Sequence, residues 1–279
     1  MGAKTSKEMV VGKVSEINIY PLKSGRGYSV ENAEIWESGL KGDREFILVD
    51  ETGNFTSQRK IPSMATLVLT RPDEKSLLIS YGGKEIYTGP LVEDGAVETL
   101  TIWGEDVPGT FQGEASSTAI SNALNVPGLR LFWAGPSQLR DVEQGFAVGG
   151  NHRVKYPDEY PFLLTTTASL ADLNSRIDTS VPMNRFRPNI VVDGDFTAWA
   201  EEGWHQIRIN NVTYQACKKC SRCKVPTVDQ DTGEHDSGES MKVLKSYRSV
   251  KSEVFFGMNL VHEQKEGTIN VGDDVILVS

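Results

Sequence analysis

The stretch Cys217-Lys218-Lys219-Cys220-Ser221-Arg222-Cys223 holds all three cysteines of this 279-residue chain, and it determines how the rest of the sequence is interpreted. Cysteines that serve as small core residues are scattered along a sequence, whereas these three fall within seven positions. Basic residues between them favour the thiolate by lowering the pKa of each thiol, and the thiolate is the form that binds metals or acts as a nucleophile. We therefore expect the chemistry of the protein at this stretch.

Spacing alone leaves several kinds of cysteine site open. We expect the stretch to be a loop that follows an edge strand, Val212–Ala216, and runs into Val225-Pro226-Thr227-Val228. Structural zinc needs four ligands, and the fourth would be His205 or His235, neither at a recognised spacing. An iron–sulfur cluster generally takes four protein ligands, and a thioredoxin-like pair opens a helix after a parallel strand. None of these three sites fits the pattern well.

A single thiolate given to a metal whose other ligands come from an organic cofactor fits better. Molybdenum held by the dithiolene sulfurs of a pterin needs only one protein sulfur. Such a cofactor ends in a phosphate, which calls for Arg, Lys, Ser and backbone N–H groups. Turn-like positions offer these groups at Lys23, Ser24, Arg44, Arg187 and Asn189.

The composition of the whole chain excludes other classes of protein. The net charge of −9 argues against a nucleic-acid partner, because phosphate contacts need a surplus of Lys and Arg. No stretch approaches the roughly 18 apolar residues of a membrane-spanning helix, so we expect no transmembrane segment. Crowded cysteines in odd number fit a reducing compartment, and we expect a cytoplasmic protein. Met1-Gly2-Ala3-Lys4-Thr5-Ser6 matches the short pattern for myristoylation of Gly2, which would give weak, reversible membrane attachment.

Periodic and turn patterns predict a β-rich α+β fold. Val14–Tyr20 alternates with period two, and Gly82-Gly83 predicts a β-hairpin. Two helical patterns interrupt the strands, one over Glu114–Leu124 and one over Thr167–Ile177 with Thr167 as its N-cap. Strand patterns resume after Asn189. The sequence therefore predicts two β-rich units, with the cysteines in the second.

Separated stretches of the chain share the pattern of one family, and the resemblance extends from about Val14 to Val278. They are Ile19-Tyr20-Pro21-Leu22-Lys23-Ser24, Gly42-Asp43-Arg44, Ser169-Leu170-Ala171-Asp172-Leu173-Asn174-Ser175-Arg176, Phe186-Arg187-Pro188-Asn189-Ile190-Val191, Cys220-Ser221-Arg222-Cys223-Lys224-Val225-Pro226-Thr227-Val228-Asp229-Gln230-Asp231-Thr232-Gly233 and Leu244-Lys245-Ser246-Tyr247-Arg248. In this order they resemble the amidoxime-reducing component family of MOSC-domain proteins. The resemblance implies an N-terminal β-barrel domain over residues 10–125 and a MOSC β-barrel domain with a few helices over 126–279.

The resemblance also implies roles for individual residues around a molybdenum cofactor held between the two domains. The metal ligand is Cys223, and Asp158 lies near the metal with a proton-handling role. The cofactor-binding residues are Lys23, Ser24, Arg44, Arg187, Asn189, Ser221, Arg222 and Asn259. The chain departs from the family at Glu159-Tyr160, where relatives often carry small hydroxyl residues, and at Asn259, where relatives can carry an aromatic residue. Cys217 is an additional cysteine without an assigned role.

The function that the resemblance implies is that of an oxidoreductase. It uses molybdenum cofactor (Mo-molybdopterin) to remove oxygen from N-hydroxylated compounds such as amidoximes and hydroxylamines. No G-x-G-x-x-G follows a strand, so the electrons must come from a partner. The resemblance implies a cytochrome b5-type haem protein and its NADH-dependent flavin reductase. The alternative is a protein that carries molybdenum cofactor, or sulfur as a cysteine persulfide, without reductase activity. Sulfurases that share the MOSC domain carry a long pyridoxal-phosphate region, for which these residues leave no room.

Overall fold

The chain folds mainly into β-strands. A computed structural model describes residues 8–142, 150 and 152–278. The strands of the first part are β1 (Glu8–Ile19), β2 (Tyr28–Val30), β3 (Asn32–Trp36), β4 (Gly39–Leu40), β5 (Phe46–Val49), β6 (Leu67–Thr70), β7 (Ser76–Tyr81), β8 (Lys84–Pro90), β9 (Val97–Ile102), β10 (Glu105–Phe111) and β11 (Arg130–Trp133). Those of the second part are β12 (Arg140–Asp141), β13 (Arg153–Val154), β14 (Phe162–Thr166), β15 (Ile190–Asp193), β16 (Gln206–Ile209), β17 (Val212–Ser221), β18 (Ser249–Val250), β19 (Glu253–His262), β20 (Gly267–Asn270) and β21 (Asp274–Val278). The α-helices are α1 (Glu114–Leu124), α2 (Thr167–Asn174) and α3 (Glu239–Tyr247), and short 3₁₀ helices cover Pro62–Thr66, Met183–Phe186, Ala200–Gly203 and Val225–Thr227.

Seven strands close into a barrel in the order β14-β15-β1-β21-β16-β17-β19, and pairing of β14 with β19 completes the ring. Only the β14–β15 pair is parallel within this ring. Side chains that point inward from the strands form its apolar core, among them Ile17, Phe162, Ile190, Tyr214 and Leu260. Closure leaves the ring without free edges, and the predicted β-rich α+β class with a C-terminal barrel is confirmed.

The first part of the chain contains two further sheets, one of order β5-β11-β10-β9 and one of order β6-β7-β8. Helix α1 packs Ile120 and Leu124 into the core that Phe46, Met64 and Leu131 help to form. The predicted hairpin is confirmed, because Tyr81 pairs with Lys84 across Gly82-Gly83. Both glycines have positive φ, the conformation that this tight turn requires.

The helices follow the predictions in part. Helix α1 has the predicted bounds and ends at Asn125 in the left-handed conformation. Helix α2 ends at Asn174 instead of Ile177, and its N-cap is Thr166, whose side chain accepts the Ser169 N–H, so Thr167 is wrong as the cap. Helix α3 was not predicted.

The N-terminal strands contribute to the barrel as well as to their own region. Strand β1 pairs with β15 and β21, and β3 pairs with β20. The division at 10–125 and 126–279 stays a prediction. No helix in the described parts of the chain is long and apolar enough to cross a membrane. The possible acylation of Gly2 lies outside the described residues.

Candidate functional site

Strand β17 carries two of the three cysteines within the wall of the barrel. It pairs with β16 on one side and β19 on the other, so the prediction of an edge strand followed by a cysteine loop is wrong. The strand ends at the exposed Ser221, and only Cys223 lies beyond it, with an exposed side chain. The backbone N–H of Val225 donates to the Cys223 sulfur over 3.4 Å. One thiol of the three is thus presented to a ligand.

The other two thiols occupy different surroundings. Cys217 packs beside Val154 and Val261, and burial raises its pKa to about 11. Cys220 accepts a hydrogen bond from Arg222 Nη1 over 3.0 Å, yet burial still raises its pKa above the usual value. Our expectation that basic neighbours lower the pKa is therefore wrong for both thiols, because burial disfavours the thiolate more strongly. The packing also gives the additional Cys217 a structural role.

Arg222 joins the cysteine stretch to the segment that contains the predicted Arg187. Its Nη2 donates to the Phe186 carbonyl oxygen over 2.8 Å, and its guanidinium lies 5.5 Å from the Phe186 ring centroid. Phe186 in turn stacks on Phe256 with ring centroids 3.8 Å apart. The Arg222 Nε is buried and has no hydrogen-bond partner among the described residues, so Arg222 retains a donor for a further acceptor.

Three of the predicted residues lie at turns with an uncommon backbone conformation. Ser24, Arg44 and Arg187 have φ angles of 62°, 45° and 56°. Each such angle costs on the order of 1–3 kcal/mol for a residue other than glycine and persists only where neighbouring contacts hold it. Here Gln58 Nε2 donates to the Ser24 carbonyl oxygen over 2.9 Å, and Arg44 Nη2 donates to the Arg187 carbonyl oxygen over 3.3 Å. Strained turns that converge in this way are typical of functional sites.

Arg44 and Arg187 lie against the same aromatic ring. Their guanidinium carbons are 4.5 and 4.3 Å from the centroid of Tyr20, whose pKa burial raises to about 12. Asp43 forms an ion pair with Arg44 at 2.6 Å, and the Asn189 side-chain oxygen accepts from Arg44 over 3.0 Å. The structure thus brings Arg44, Arg187 and Asn189 together.

Arg187 differs from Arg44 in having neutral contacts. It is only 8% exposed, and its Nη1 donates to the Gly25 carbonyl oxygen over 2.6 Å and to Gln230 Oε1 over 3.3 Å. Burial and the neighbouring Arg44 lower its pKa to about 10. A buried cation whose contacts are neutral is costly, and an anion placed beside it would offset that cost.

Lys23 and Asp158 form an ion pair with each other. Lys23 is buried and also donates to the Tyr156 carbonyl oxygen over 2.9 Å, while Trp103 Nε1 donates to Asp158 Oδ1 over 3.0 Å. The Asp158 side chain is largely exposed; desolvation opposes its ionisation, but Lys23 and Trp103 outweigh this effect and hold its pKa well below the usual range. At neutral pH Asp158 is therefore an acceptor and a negative charge, and proton donation by it stays a prediction.

Asn259 belongs to a polar group beside Asp158. Its Nδ2 donates to Glu159 Oε2 over 3.3 Å, and Lys218 pairs with the same carboxylate at 3.1 Å. The charges of Asp158 and Glu159 both act on the Cys220 thiol, which places them within electrostatic range of the cysteine stretch. Glu159 and Asn259, which both depart from the family pattern, are thus hydrogen-bonded to each other.

Two buried glutamines complete the arrangement. Gln58 and Gln230 exchange side-chain amide hydrogen bonds of 3.1 and 2.9 Å, and Gln230 Nε2 also donates to the Val228 carbonyl oxygen over 3.0 Å. Gln58 Nε2 also donates to the Ser24 carbonyl oxygen, and Gln230 Oε1 also accepts from Arg187 Nη1. We did not single out Gln58 from the sequence, because only its partner 172 positions away reveals it.

In the described part of the chain, neither a cluster of metal-ligating side chains nor the cavity below forms a second metal or ligand site at the cysteines. No three His, Cys, Asp or Glu side chains in the described part of the chain are grouped to hold a metal ion. A cavity of about 830 Å³ is lined by Trp36, Glu37, Lys155 and Lys265, and none of its lining residues is a predicted site residue. The predicted residues instead meet where the turns at 22–27, 43–44 and 186–189 adjoin the end of β17.

Comparison with known proteins matches the whole length of the chain. The model of the MOSC N-terminal beta barrel domain matches residues 11–127, and the model of the MOSC domain matches residues 151–276. Mitochondrial amidoxime reducing component 2 of Bos taurus is 34% identical in an alignment of 280 residues that covers 95% of this chain and 83% of that protein. Mitochondrial amidoxime-reducing component 1 of Mus musculus and of Homo sapiens are each 33% identical in an alignment of 288 residues that covers 96% of this chain and 83% of each relative.

Proposed function

This chain belongs to the MOSC family, and from that premise we propose that it is an oxidoreductase that reduces N-hydroxylated compounds with a molybdenum cofactor bound through Cys223. The names of the curated relatives, amidoxime-reducing components, support this reaction class. Two electrons and two protons would cleave the N–O bond of an amidoxime and release an amidine and water. The proposal includes a domain division at residues 10–125 and 126–279.

The residues present fit such a cofactor. Arg187 is a buried cation whose hydrogen-bond partners are neutral, which suits the terminal phosphate of the cofactor. The buried Nε of Arg222 has no partner among the described residues and could donate a hydrogen bond to the cofactor. Cys223 presents an exposed sulfur on the same stretch as Arg222, and a thiolate is the ligand type that this metal accepts. When bound, the cofactor supplies the metal centre at which the N–O bond is cleaved.

The observation that carries the proposal is the joining of the cysteine stretch to this cation. Arg222 lies one residue before Cys223 and bonds to Phe186, the residue before Arg187. An exposed thiol and a buried guanidinium, from segments some 36 positions apart, are thus linked by a direct contact, which supports placing them in one site. We assign phosphate binding to Arg187, with Arg44, Asn189 and Ser24 lining the same turns.

Asp158 would act on the substrate side of the site. Lys23 and Trp103 fix its carboxylate and keep it ionised, so it can accept an N–H of the substrate. Ser221 and Arg222 belong to the cysteine stretch, and Asn259 on β19 pairs with Lys218 of that stretch; all three would contact the pterin.

The electrons would come from a separate protein, because the chain carries no nicotinamide or flavin fingerprint. By resemblance to the family we expect a cytochrome b5-type haem protein and its NADH-dependent flavin reductase. Location stays a prediction: the sequence favours the cytoplasm, whereas the relatives are named mitochondrial.

Metal analysis combined with a reduction assay tests the proposal. The purified protein should contain molybdenum and pterin close to equimolar with the chain, and it should reduce benzamidoxime when supplied with the b5-type donor and its reductase. Cys223→Ala should abolish turnover, whereas Cys217→Ala, which changes a packing cysteine of the same sequence stretch, should retain it.

Two results would contradict the proposal in different ways. Zinc in place of molybdenum, without benzamidoxime reduction, would refute molybdenum dependence. Molybdenum cofactor bound at full occupancy, with no reduction of any N-hydroxylated compound, would instead favour the carrier function.

A further inference from the structure

Trp103 occupies a turn position that its side chain does not favour. It is the first loop residue of the β9–β10 hairpin, in which Ile102 pairs with Glu105 across Trp103-Gly104. Both loop residues have positive φ, 54° and 87°, as in a type I′ turn, where Asn-Gly is preferred. Bulky side chains adopt this left-handed region only at an energetic cost.

Other two-residue hairpins of the structure show what this position usually accepts. Gly82, Asn210 and Lys251 stand first in their loops with φ angles of 57°, 51° and 57°. Glycine and asparagine are the residues that tolerate this conformation best, and Lys251 is exposed. A tryptophan at such a position therefore calls for an explanation beyond the turn itself.

The neighbours of Trp103 hold its ring in one orientation. The Arg59 guanidinium lies 4.1 Å from the ring centroid, and Phe55 meets the ring edge-on with centroids 4.7 Å apart. The indole Nε1 donates to Asp158 Oδ1 over 3.0 Å. Despite these contacts Trp103 remains 52% exposed, which is unusual for a large aromatic side chain held on several sides.

The exposed ring therefore adjoins the proposed substrate side of the site. Asp158 is bound to Lys23, and its charge acts on both Arg187 and the Cys220 thiol. A flat apolar surface beside a fixed carboxylate suits a ligand that combines a planar ring with an N–H donor. An aryl amidoxime has both features, whereas hydroxylamine has no ring.

We propose that Trp103 is a specificity-determining residue of the substrate pocket, where its indole ring packs against the planar apolar group of the N-hydroxylated substrate while its N–H orients Asp158. This inference rests on the proposed reductase function. It accounts for the presence of a tryptophan at a turn position that favours asparagine.

The test is the ratio of kcat/KM for benzamidoxime to kcat/KM for hydroxylamine, measured on molybdenum-loaded protein. Trp103→Asn restores the preferred turn residue but removes the ring, and we expect the ratio to fall about five- to tenfold, the worth of one aromatic contact. Trp103→Phe keeps a ring and should stay within about threefold of the wild type. Lys251→Asn places asparagine at the equivalent position of the β18–β19 turn, Lys251-Ser252, which holds no predicted site residue, and should leave the ratio unaltered.

A structural role for Trp103 would change both substrates together and leave the ratio unmoved. A fall of less than about threefold for Trp103→Asn, or an equal fall for Trp103→Phe, overturns the inference. Trp103→Leu, which also removes the ring, supplies the same comparison should the asparagine variant be insoluble. Failure of the wild type to bind molybdenum or to reduce either compound would refute the reductase function itself, which is a distinct result.

Discussion

Gln58→Met removes one half of the buried glutamine pair that supports the candidate site. Gln58 makes three hydrogen bonds, one to the Ser24 carbonyl oxygen and two exchanged with Gln230, at 2.9 to 3.1 Å. Methionine has a similar length but cannot replace these bonds, so the Ser24 carbonyl and part of the Gln230 amide lose their partner. A buried polar group without a partner costs about 1–3 kcal/mol, and we expect the free energy of unfolding to fall by roughly 2–4 kcal/mol.

Gln112→Met is the matched control for this substitution. Gln112 is also a buried glutamine with three hydrogen bonds, two to the backbone of Val92 and one to the Thr110 carbonyl oxygen, at 2.8 to 3.1 Å. Urea unfolding of the two metal-free variants should show losses of stability that agree within about 1 kcal/mol. The two should differ in molybdenum and pterin content, because only Gln58 holds the turn at Ser24 and, through Gln230, the guanidinium of Arg187.

Two outcomes would refute this reasoning. A stability loss below about 0.5 kcal/mol for Gln58→Met would mean that water or a shifted side chain satisfies the broken bonds. Equal cofactor content in Gln58→Met and Gln112→Met, measured on protein that is still folded, would mean that the glutamine pair stabilises the fold without positioning the site.

Three further predictions concern the thiols and one histidine. Iodoacetamide should modify Cys223 of the metal-free protein first and should spare it in cofactor-loaded protein. Labelling of Cys217 at an equal rate would contradict the structure, because burial raises the pKa of that thiol to about 11. Cys217→Ala should lower the free energy of unfolding by about 1–2 kcal/mol through lost packing and leave molybdenum content unchanged, and loss of the metal would reopen a site with several sulfurs. Burial lowers the pKa of His262 to about 4, below its value of about 6.5 in the unfolded chain. As the pH drops from about 6.5 towards 4, the unfolded chain therefore binds a proton that the folded chain does not, and the free energy of unfolding falls by about 3 kcal/mol in all. His262→Gln, which can still bond to the Trp36 carbonyl oxygen, should show a shallower decline in urea unfolding across that window, and an unchanged slope would assign the effect to other groups.

Local patterns predicted the elements whose conformation is decided within a few residues. The Gly82-Gly83 hairpin and helix α1 have their predicted places because turn chemistry and helical periodicity act over short distances. Helix α3 was missed because Glu239–Tyr247 is short and mostly polar, although Leu244 is buried and Met241, three residues before it, packs beside it. Strand β17 was mistaken for an edge strand because pairing with β19 is decided by residues far along the chain.

The candidate site shows the same division between local and distant information. The family resemblance selected Lys23 and Asp158, and the structure brings them into contact across 135 positions. It selected Ser24, Arg44 and Arg187 from separate motifs, and the structure gives all three a left-handed backbone. No pattern within the sequence could identify the groups that support them, such as Trp103, because a supporting role depends on contacts that exist only after folding.

The placement of Cys217 and Cys220 in strand β17 decides whether the three closely spaced cysteines can share a ligand. A separation of three residues gathers thiols on one face of a helix or in a tight turn, whereas Cys217 and Cys220 each lie where the register of β17 against β19 shifts. Cys217 and Cys220 both lie in β17, one packed beside Val154 and Val261 and the other bonded to Arg222, so they do not share a ligand with Cys223. The sequence pattern that suggested a site with three sulfurs thus presents one sulfur to a ligand. A metal held by this one sulfur must bring most of its other ligands with it as part of a cofactor. The neighbouring cations that would bind such a cofactor, above all Arg187, therefore matter more for the function of this protein than the two remaining cysteines.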